Sequence, residues 1–468
     1  MPCEPRMSRP ARAIPLAKRG ILRKKRGMRF LSFLKSLISP VTKKKEPLNA
    51  MDESLLRRAL RFDERTFGES HPDVAARLND LAQLLKTMDR MEEAEPLLRR
   101  ALEIDEQHYG PSQPEVATRL NNLAGLLQAM KRYAEAEPLF RRALEISEQS
   151  NGPSHPEVAT RLNNLAALLH DMDRLAEAEP LYRRALEIDE QCYDPCEPEV
   201  SIHLNNLAQL LRETNRLAEA EPLLRRALEI DEQSYGPSQP EVAIRHNNLA
   251  ALLQDMNRLA EAEALYRRAL EIGEQHYDQS QSEVPIYLNN LAGLLKDTNR
   301  LEEAEPLFRR ALEIDEQSYG KSHPKILIRL NNFALLLKSM SRMEEAEPLF
   351  RRALEISEQS YGPSQPEVAI QLNELAGLLQ DTNRLVEAEP MMRRALEITE
   401  QSYGPSHPDV AIDLNNLAQL LKDTNRQEEA EPMMKRALEI LEASLGEGHL
   451  KTLKVRENLR KLQETIPR

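Results

Sequence analysis

Apolar side chains along most of this chain recur three and four positions apart, the spacing of one face of an α-helix, and runs alternating with a period of two are absent. Residues 112–154 show the pattern. Leu120, Leu123, Ala124, Leu126, Leu127 and Met130 share one arc of a helical wheel; Gln128, Asn121, Gly125, Thr118, Ala129 and Asn122 occupy the opposite arc. Ser112-Gln113-Pro114-Glu115 has the spacing of a capping box with proline in the first turn, so a helix is expected from here to about Met130. A break at Lys131-Arg132 and a second helix from about Tyr133 to Gln149 follow, with Pro138 early enough for its missing donor to cost little. In four units the second helix closes on Tyr-Gly-Pro, as at Tyr109-Gly110-Pro111, where glycine suits a left-handed cap and proline blocks continuation.

This hairpin repeats. His71-Pro72, Gln113-Pro114, His155-Pro156, Glu197-Pro198 and Gln239-Pro240 follow one another every 42 residues, and the series runs on through Gln281-Ser282, His323-Pro324, Gln365-Pro366 and His407-Pro408. Nine full units therefore span residues 71–448. Residues 51–70 match only the second half of a unit and form an N-terminal cap, while 449–468 match a weakened first half and form a capping helix. The expected fold is all-α: one right-handed superhelical solenoid of helical hairpins, preceded by a separate segment, 1–50.

Leu120, Leu123, Ala124, Leu127, Ala136, Phe140 and Ala143 stand at the spacing of the tetratricopeptide repeat, with Leu in place of the usual first aromatic. The longer period, the wording Leu-Asn-Asn-Leu-Ala, and Glu-Ala-Glu-Pro-Leu-Phe-Arg-Arg-Ala-Leu-Glu-Ile resemble the kinesin light chain type of this repeat, also found in nephrocystin-3-like proteins. The resemblance covers residues 51 to about 464. It implies a non-enzymatic scaffold for protein–protein interaction, whose first helices line a concave groove for an extended peptide or partner protein. The alternatives it leaves are a regulatory or targeting subunit of an enzyme complex and a cargo adaptor of the kinesin light chain kind. A motor subunit should also carry a heptad coiled coil ahead of the repeats, and residues 1–50 contain none.

Two columns of asparagine mark the first helix of the unit. Asn79, Asn121, Asn163, Asn205, Asn247, Asn289, Asn331, Asn373 and Asn415 hold one position; Asn122, Asn164, Asn206, Asn248, Asn290, Asn332 and Asn416 hold the next, replaced by Asp80 and Glu374 in two units. An amide offers two donors and an acceptor, which suits the backbone of an extended peptide. Beside them run Ile202, Ile244, Ile286, Ile328, Ile370 and Ile412, apolar contact points for a ligand's side chains. The competing reading makes these columns the lock between neighbouring hairpins. The second helix presents Arg141, Arg142, Glu145 and Glu148, a solvated exterior with Glu137, Arg141 and Glu145 spaced for ion pairs.

Composition narrows the function classes. There are three cysteines, no tryptophan and a net charge of −12, which conceals 14 Lys/Arg against Glu4 and Glu46 in the first 50 residues. Cys192 and Cys196 replace other residue types in a connector and lack a second ligand pair, so no metal site is expected. His71, His155, His323 and His407 belong to the start of the first helix and are read as structural. With no phosphate-binding glycine loop, zinc-protease histidine pair or nucleophile elbow, neither catalysis nor a cofactor is expected. No apolar run approaches a membrane span, and a reduced, cytoplasmic chain is the simplest reading. In the basic segment Phe30, Leu31, Phe33, Leu34, Leu37 and Ile38 share a helical face between Arg23-Lys24-Lys25-Arg26 and Lys43-Lys44-Lys45, so weak contact of residues 23–45 with anionic membrane is one expectation. Docking on the repeats is another, Met28 is an alternative start, and nucleic-acid binding is not expected without interleaved aromatics.

Overall fold

The computed structural model describes residues 48–192, 197–276 and 283–464. Among them stand twenty helices of more than one turn and no strand, divided between two compact units that meet after His108. The basic amphipathic stretch, Cys3 and Cys196 lie outside the described residues.

The first unit holds α1 (Leu48–Phe67), α2 (Pro72–Thr87) and α3 (Met91–Tyr109, its last residue belonging to the second unit). Val74, Ala75 and Leu78 of α2 pack with Ala101 and Ile104 of α3, and Leu60 of α1 closes the cluster. The half-unit thus supplies the surface on which the first complete hairpin buries its apolar stripe.

In the second unit each hairpin follows the same plan. α4 (Pro114–Ala129) pairs with α5 (Tyr133–Asn151), α6 (Pro156–Asp171) with α7 (Leu175–Cys192), α8 (Pro198–Glu213) with α9 (Leu217–Tyr235), and α10 (Pro240–Asp255) with α11 (Leu259–His276). α12 (Glu283–Asp297) pairs with α13 (Leu301–Tyr319), α14 (Leu327–Ser339) with α15 (Met343–Tyr361), α16 (Pro366–Asp381) with α17 (Leu385–Tyr403), and α18 (Pro408–Asp423) with α19 (Gln427–Leu445). α20 (Leu450–Gln463) covers the end. The expected stripe is buried except at its end: Leu120, Leu123, Ala124, Leu126 and Leu127 are all at most 1% exposed, as are Ala136 and Ala143, and Phe140 is close to that, while Met130, past the last helical turn, is only half-buried. The clusters join consecutive helices across hairpins, as where Val158, Ala159 and Leu162 of α6 meet Ala185 and Ile188 of α7 and Leu144 of α5. Burying a leucine in this way contributes roughly 1.5–3 kcal/mol, so no hairpin retains its stability without a neighbour.

Local chemistry fixes the turns, in part differently from expectation. The N-cap of α4 is Gln113 rather than Ser112, and its side chain makes no capping bond. Where histidine stands there, Nδ1 accepts from the backbone N–H two residues on, as His155 does from Glu157 and His407 from Asp409, both at 3.2 Å. Where an aromatic precedes it, the ring also stacks, as His407 does on Tyr403 at 4.6 Å between centroids. These histidines are structural, acting as caps. Between the two helices of each hairpin one residue takes the left-handed α conformation, φ 57° at Asp173 and 59° at Asn215, and most of these positions carry Asn or Asp, which tolerate it. The closing glycine differs from the expected cap: Gly152 has φ 88° but ψ 156°, an extended mirror-image region open essentially to glycine alone. Pro138 lies beyond the four unbonded donors of α5, so it does remove one helical bond, and the helix continues through it.

Within the second unit the first helices of adjacent hairpins touch, as do α4 and α6, α8 and α10, and α16 and α18. Second helices approach less closely, so the first helices line the inner side of the local curve.

Candidate functional site

The asparagine columns form a hydrogen-bonded ladder between hairpins. In five successive rungs the Nδ2 of a second-column residue donates to the first-column Oδ1 of the hairpin before it: Asn164 to Asn121 and Asn206 to Asn163 at 2.9 Å, Asn248 to Asn205 at 2.7 Å, Asn290 to Asn247 and Asn332 to Asn289 at 2.9 Å. Asn458 of α20 continues the column by donating to Asn415 at 2.9 Å, a rung the sequence reading missed although the 42-residue step from Asn416 reaches it. Asn163, Asn205, Asn247 and Asn289 are buried, while the second-column residues are half-exposed. A net gain of about 1 kcal/mol per rung is reasonable for such bonds. In the first unit Asn79 is half-buried, and Asp80, in the second-column position, pairs with Arg77 of its own helix at 3.4 Å.

The isoleucine column stands outside this ladder, and its exposure is substantial: 47% at Ile202, 38% at Ile244, 40% at Ile286, 62% at Ile328 and 56% at Ile370. Ile412 is half-buried. An apolar row of this kind on the inner face is exposed where solubility alone favours charge.

A register column that the sequence reading did not single out runs beside Ile. Arg245 on α10 reaches back to Asp231 on α9 at 2.8 Å, Arg329 on α14 to Asp315 on α13 at 3.0 Å, and in the first unit Arg77 to Asp63 at 3.2 Å. The pairing varies along the chain: at one hairpin His203 takes the place of arginine on an unchanged aspartate, Asp189, and at another both positions differ, Tyr287 lying on Gly273. Burial raises the Asp315 carboxyl and lowers the Arg329 guanidinium, so desolvation opposes the pair that their mutual attraction holds.

In the second unit the ladder breaks around α16 on both sides, toward Asn331 of α14 and toward Asn416 of α18. Glu374 replaces the donor of the second column, and Asn331 Oδ1, its expected acceptor, has no hydrogen-bond partner. Asn373 turns instead to Asp413, donating at 2.6 Å to Oδ1. Burial raises the carboxyls of both Glu374 and Asp413.

The second-helix face is tied up in ion pairs. Arg216 bonds Glu219 of its own helix and Glu179 of the hairpin before, both at 2.7 Å, and the same fork recurs at Arg174, Arg258, Arg300, Arg342, Arg384 and Arg426. Hydrogen bonds from Arg183 first, and then from Arg216, hold the Glu179 carboxyl below its ordinary range despite some desolvation. The second arginine of the pair holds the connector in most hairpins, as Arg142 does by donating to the Pro111 carbonyl at 2.8 Å. Cys192 is exposed and its thiol reaches the Ser154 carbonyl at 3.1 Å. Among the described residues no acidic, histidine or cysteine cluster fits a metal ion, and no helix is long and apolar enough to cross a membrane.

Stacked antiparallel helical hairpins with a small-residue signature and a strict period define a helical-repeat protein. A family model described as Tetratricopeptide repeat matches residues 53–107, 115–191, 199–275, 283–359, 327–385 and 367–443, and the chain belongs to that family. Among solved structures it is similar to BtubC (BKLC) from P. vanneervenii, at 24% identity over 50% of this chain and 92% of that one, with a TM-score of 0.42. It is also similar to a putative kinesin light chain with nearly identical TPR-like repeats from Podosopora anserina, at 20% identity over 44% of this chain and 99% of that one (TM-score 0.39). A tetratricopeptide repeat protein from Parabacteroides merdae aligns at 18% identity over 65% of this chain and 98% of that one (TM-score 0.43). Comparison with curated proteins finds no match. The repeats make the chain a scaffold of the protein-binding kind.

Proposed function

We propose that the inner face of the second unit binds an extended segment of a partner protein, with the isoleucine column as its apolar contact row. The observation that carries this reading is the contrast between faces. Ile202, Ile244, Ile286, Ile328 and Ile370 are exposed in line on the first helices, whereas the arginines of the second helices are engaged with glutamates and connector carbonyls. The asparagine ladder holds the hairpins in register beneath this row, and the half-exposed second-column amides add polar contacts to a peptide backbone. The reading is tested by capturing a partner on the immobilised full chain, identifying it, and measuring its affinity for a variant with Ile202, Ile244 and Ile286 replaced by serine. Undiminished affinity would place the binding surface elsewhere.

A further inference from the structure

At the break in the ladder a cleft of about 280 Å³ opens between α16 and α18, lined among others by Ile370, Asn373, Glu374, Tyr403, Ile412 and Asp413. Its polar lining includes the carboxylates of Glu374 and Asp413 and the amides of Asn373 and Asn416, and two of its buried acceptor atoms lack a donor. Asp413 is 4% exposed, and while Oδ1 takes the Asn373 amide, Oδ2 has no partner. Asn373 Oδ1 is likewise unpartnered, as is Asn331 Oδ1 one hairpin earlier. Burial is the larger influence on the Asp413 carboxyl; Thr399, at the register position that faces it, stands close enough to hold it down in part, but its proton is directed to the Ala395 carbonyl at 2.9 Å. Of the nearby lysines, Lys131 Nζ lies 2.6 Å from Glu367 and Lys338 Nζ 2.6 Å from Asp381, while Lys338 and Lys296 reach Glu374 only as longer-range charges that do not outweigh its burial. In the matching position of other hairpins Arg245 and Arg329 fill this column with a guanidinium, and here an aspartate stands instead.

We propose that this cleft receives the side chain of an arginine carried by the extended partner segment, a reading that rests on the peptide-binding role of the same face. A guanidinium brings five N–H donors in a plane, which answers Asp413 Oδ2, Asn373 Oδ1 and the Glu374 carboxylate together. Its apolar stem lies against Ile370 and Ile412, beside the Tyr403 ring that lines the same cleft. Burying a carboxylate without a partner is costly, and burial already raises the Asp413 and Glu374 carboxyls; an arriving cation removes that cost.

The test uses the full chain with isotope-labelled isoleucine methyl groups, titrated with Nα-acetyl-arginine methylamide and, separately, with its citrulline and lysine counterparts. The arginine derivative should give saturable shifts confined to Ile370 and Ile412, with Ile202 and Ile244 unmoved. Citrulline, the same shape without charge, should give none, and lysine should bind at least severalfold more weakly. Asp413→Asn and, separately, Glu374→Asn should each weaken the arginine response by tenfold or more; unchanged Ile202 and Ile244 signals show that the fold persists. Absence of an arginine response, or an equal response to citrulline or lysine, would overturn the assignment. Neither result bears on the isoleucine-row variant, whose effect on partner affinity decides the wider reading separately.

Discussion

Tyr287 occupies the space that Gly273 leaves: a β-carbon built on that glycine would stand 3.0 Å from Tyr287 Cδ2 and 3.1 Å from Cε2. The neighbouring hairpins solve the same contact with Asp231 and Arg245, or Asp315 and Arg329. The pair of positions, and not either alone, sets the fit between one second helix and the next first helix. Gly273→Asp should therefore destabilise by about 1–3 kcal/mol, since an overpacked contact leaves a buried carboxylate without a cation. Adding Tyr287→Arg should restore most of the loss by recreating the pair of the adjacent hairpins. Equilibrium urea unfolding of both variants checks this, and a double variant no more stable than the single one would refute the coupling.

His246 gives stability a pH dependence. It is 7% exposed, at a position where α4, α6 and α8 carry Leu120, Leu162 and Leu204, and burial first, then the nearby Arg268, pushes its pKa down to about 4. The folded chain holds this ring neutral while the unfolded chain protonates it near 6.5. Its contribution is present above pH 6.5 and is lost as the pH falls from there toward 4, for a total of roughly 3 kcal/mol. His246→Leu should remove that slope. Urea midpoints of the two proteins should diverge between pH 6.5 and pH 4, and parallel curves would show that the ring is not buried neutral.

Glu374 is expected to cost stability where it stands. Glu374→Asn restores the donor that faces Asn331 Oδ1, so the variant should gain about 1 kcal/mol at neutral pH from the completed rung. Because burial holds the Glu374 carboxyl above its usual range, the folded state takes up this proton before the unfolded state does. The cost of the ionised form is thus present above the folded pKa and vanishes as pH falls below the unfolded one, and the gain from the variant should shrink accordingly. Thermal melts at neutral and acidic pH measure it.

The hairpins, their period and their buried stripe were legible because each depends on spacing within one unit. Leu120 to Leu127 declare a helical face, and Pro114 and Gly152 mark where helices start and stop. What escaped reading joins residues far apart in sequence. Arg216 meets Glu179 across 37 residues and Arg245 meets Asp231 across 14, and no local pattern singles out those partners from the many charges nearby. Caps were misassigned for a different reason: Ser112 and Glu115 carry the right chemistry at the right spacing, yet the chain enters α4 one residue later, at Gln113. The asparagine columns were visible, but only the structure shows that Asn206 spends an amide N–H on Asn163, which divides the residues read as ligand-binding into a ladder and a more exposed isoleucine row.

That division sets the sharpest test of function. An asparagine variant such as Asn206→Ala disturbs a rung between hairpins, so weaker partner binding would not distinguish a lost contact from a shifted register. Ile202, Ile244 and Ile286 support no such rung, and their exposure of 38–47% means that serine there should move the melting temperature little. If a partner buries these side chains, each contributes roughly 1 kcal/mol, so replacing all three should weaken binding on the order of a hundredfold. The control must also be a clean one. Arg226 and Arg268 contact neighbouring elements, whereas Arg225 and Arg267 pair only along their own exposed helix turn, with Glu221 at 2.8 Å and Glu263 at 2.6 Å, apart from a longer approach of Arg225 to Glu261 at 3.7 Å. Such pairs are worth about 0–1 kcal/mol, and Arg225→Ala with Arg267→Ala should leave both melting and partner affinity nearly unchanged. The proposal requires the first variant to lose binding while it keeps its fold and the second to keep both. A folded isoleucine variant with full affinity beside an arginine variant that has lost it would move the binding surface to the second helices.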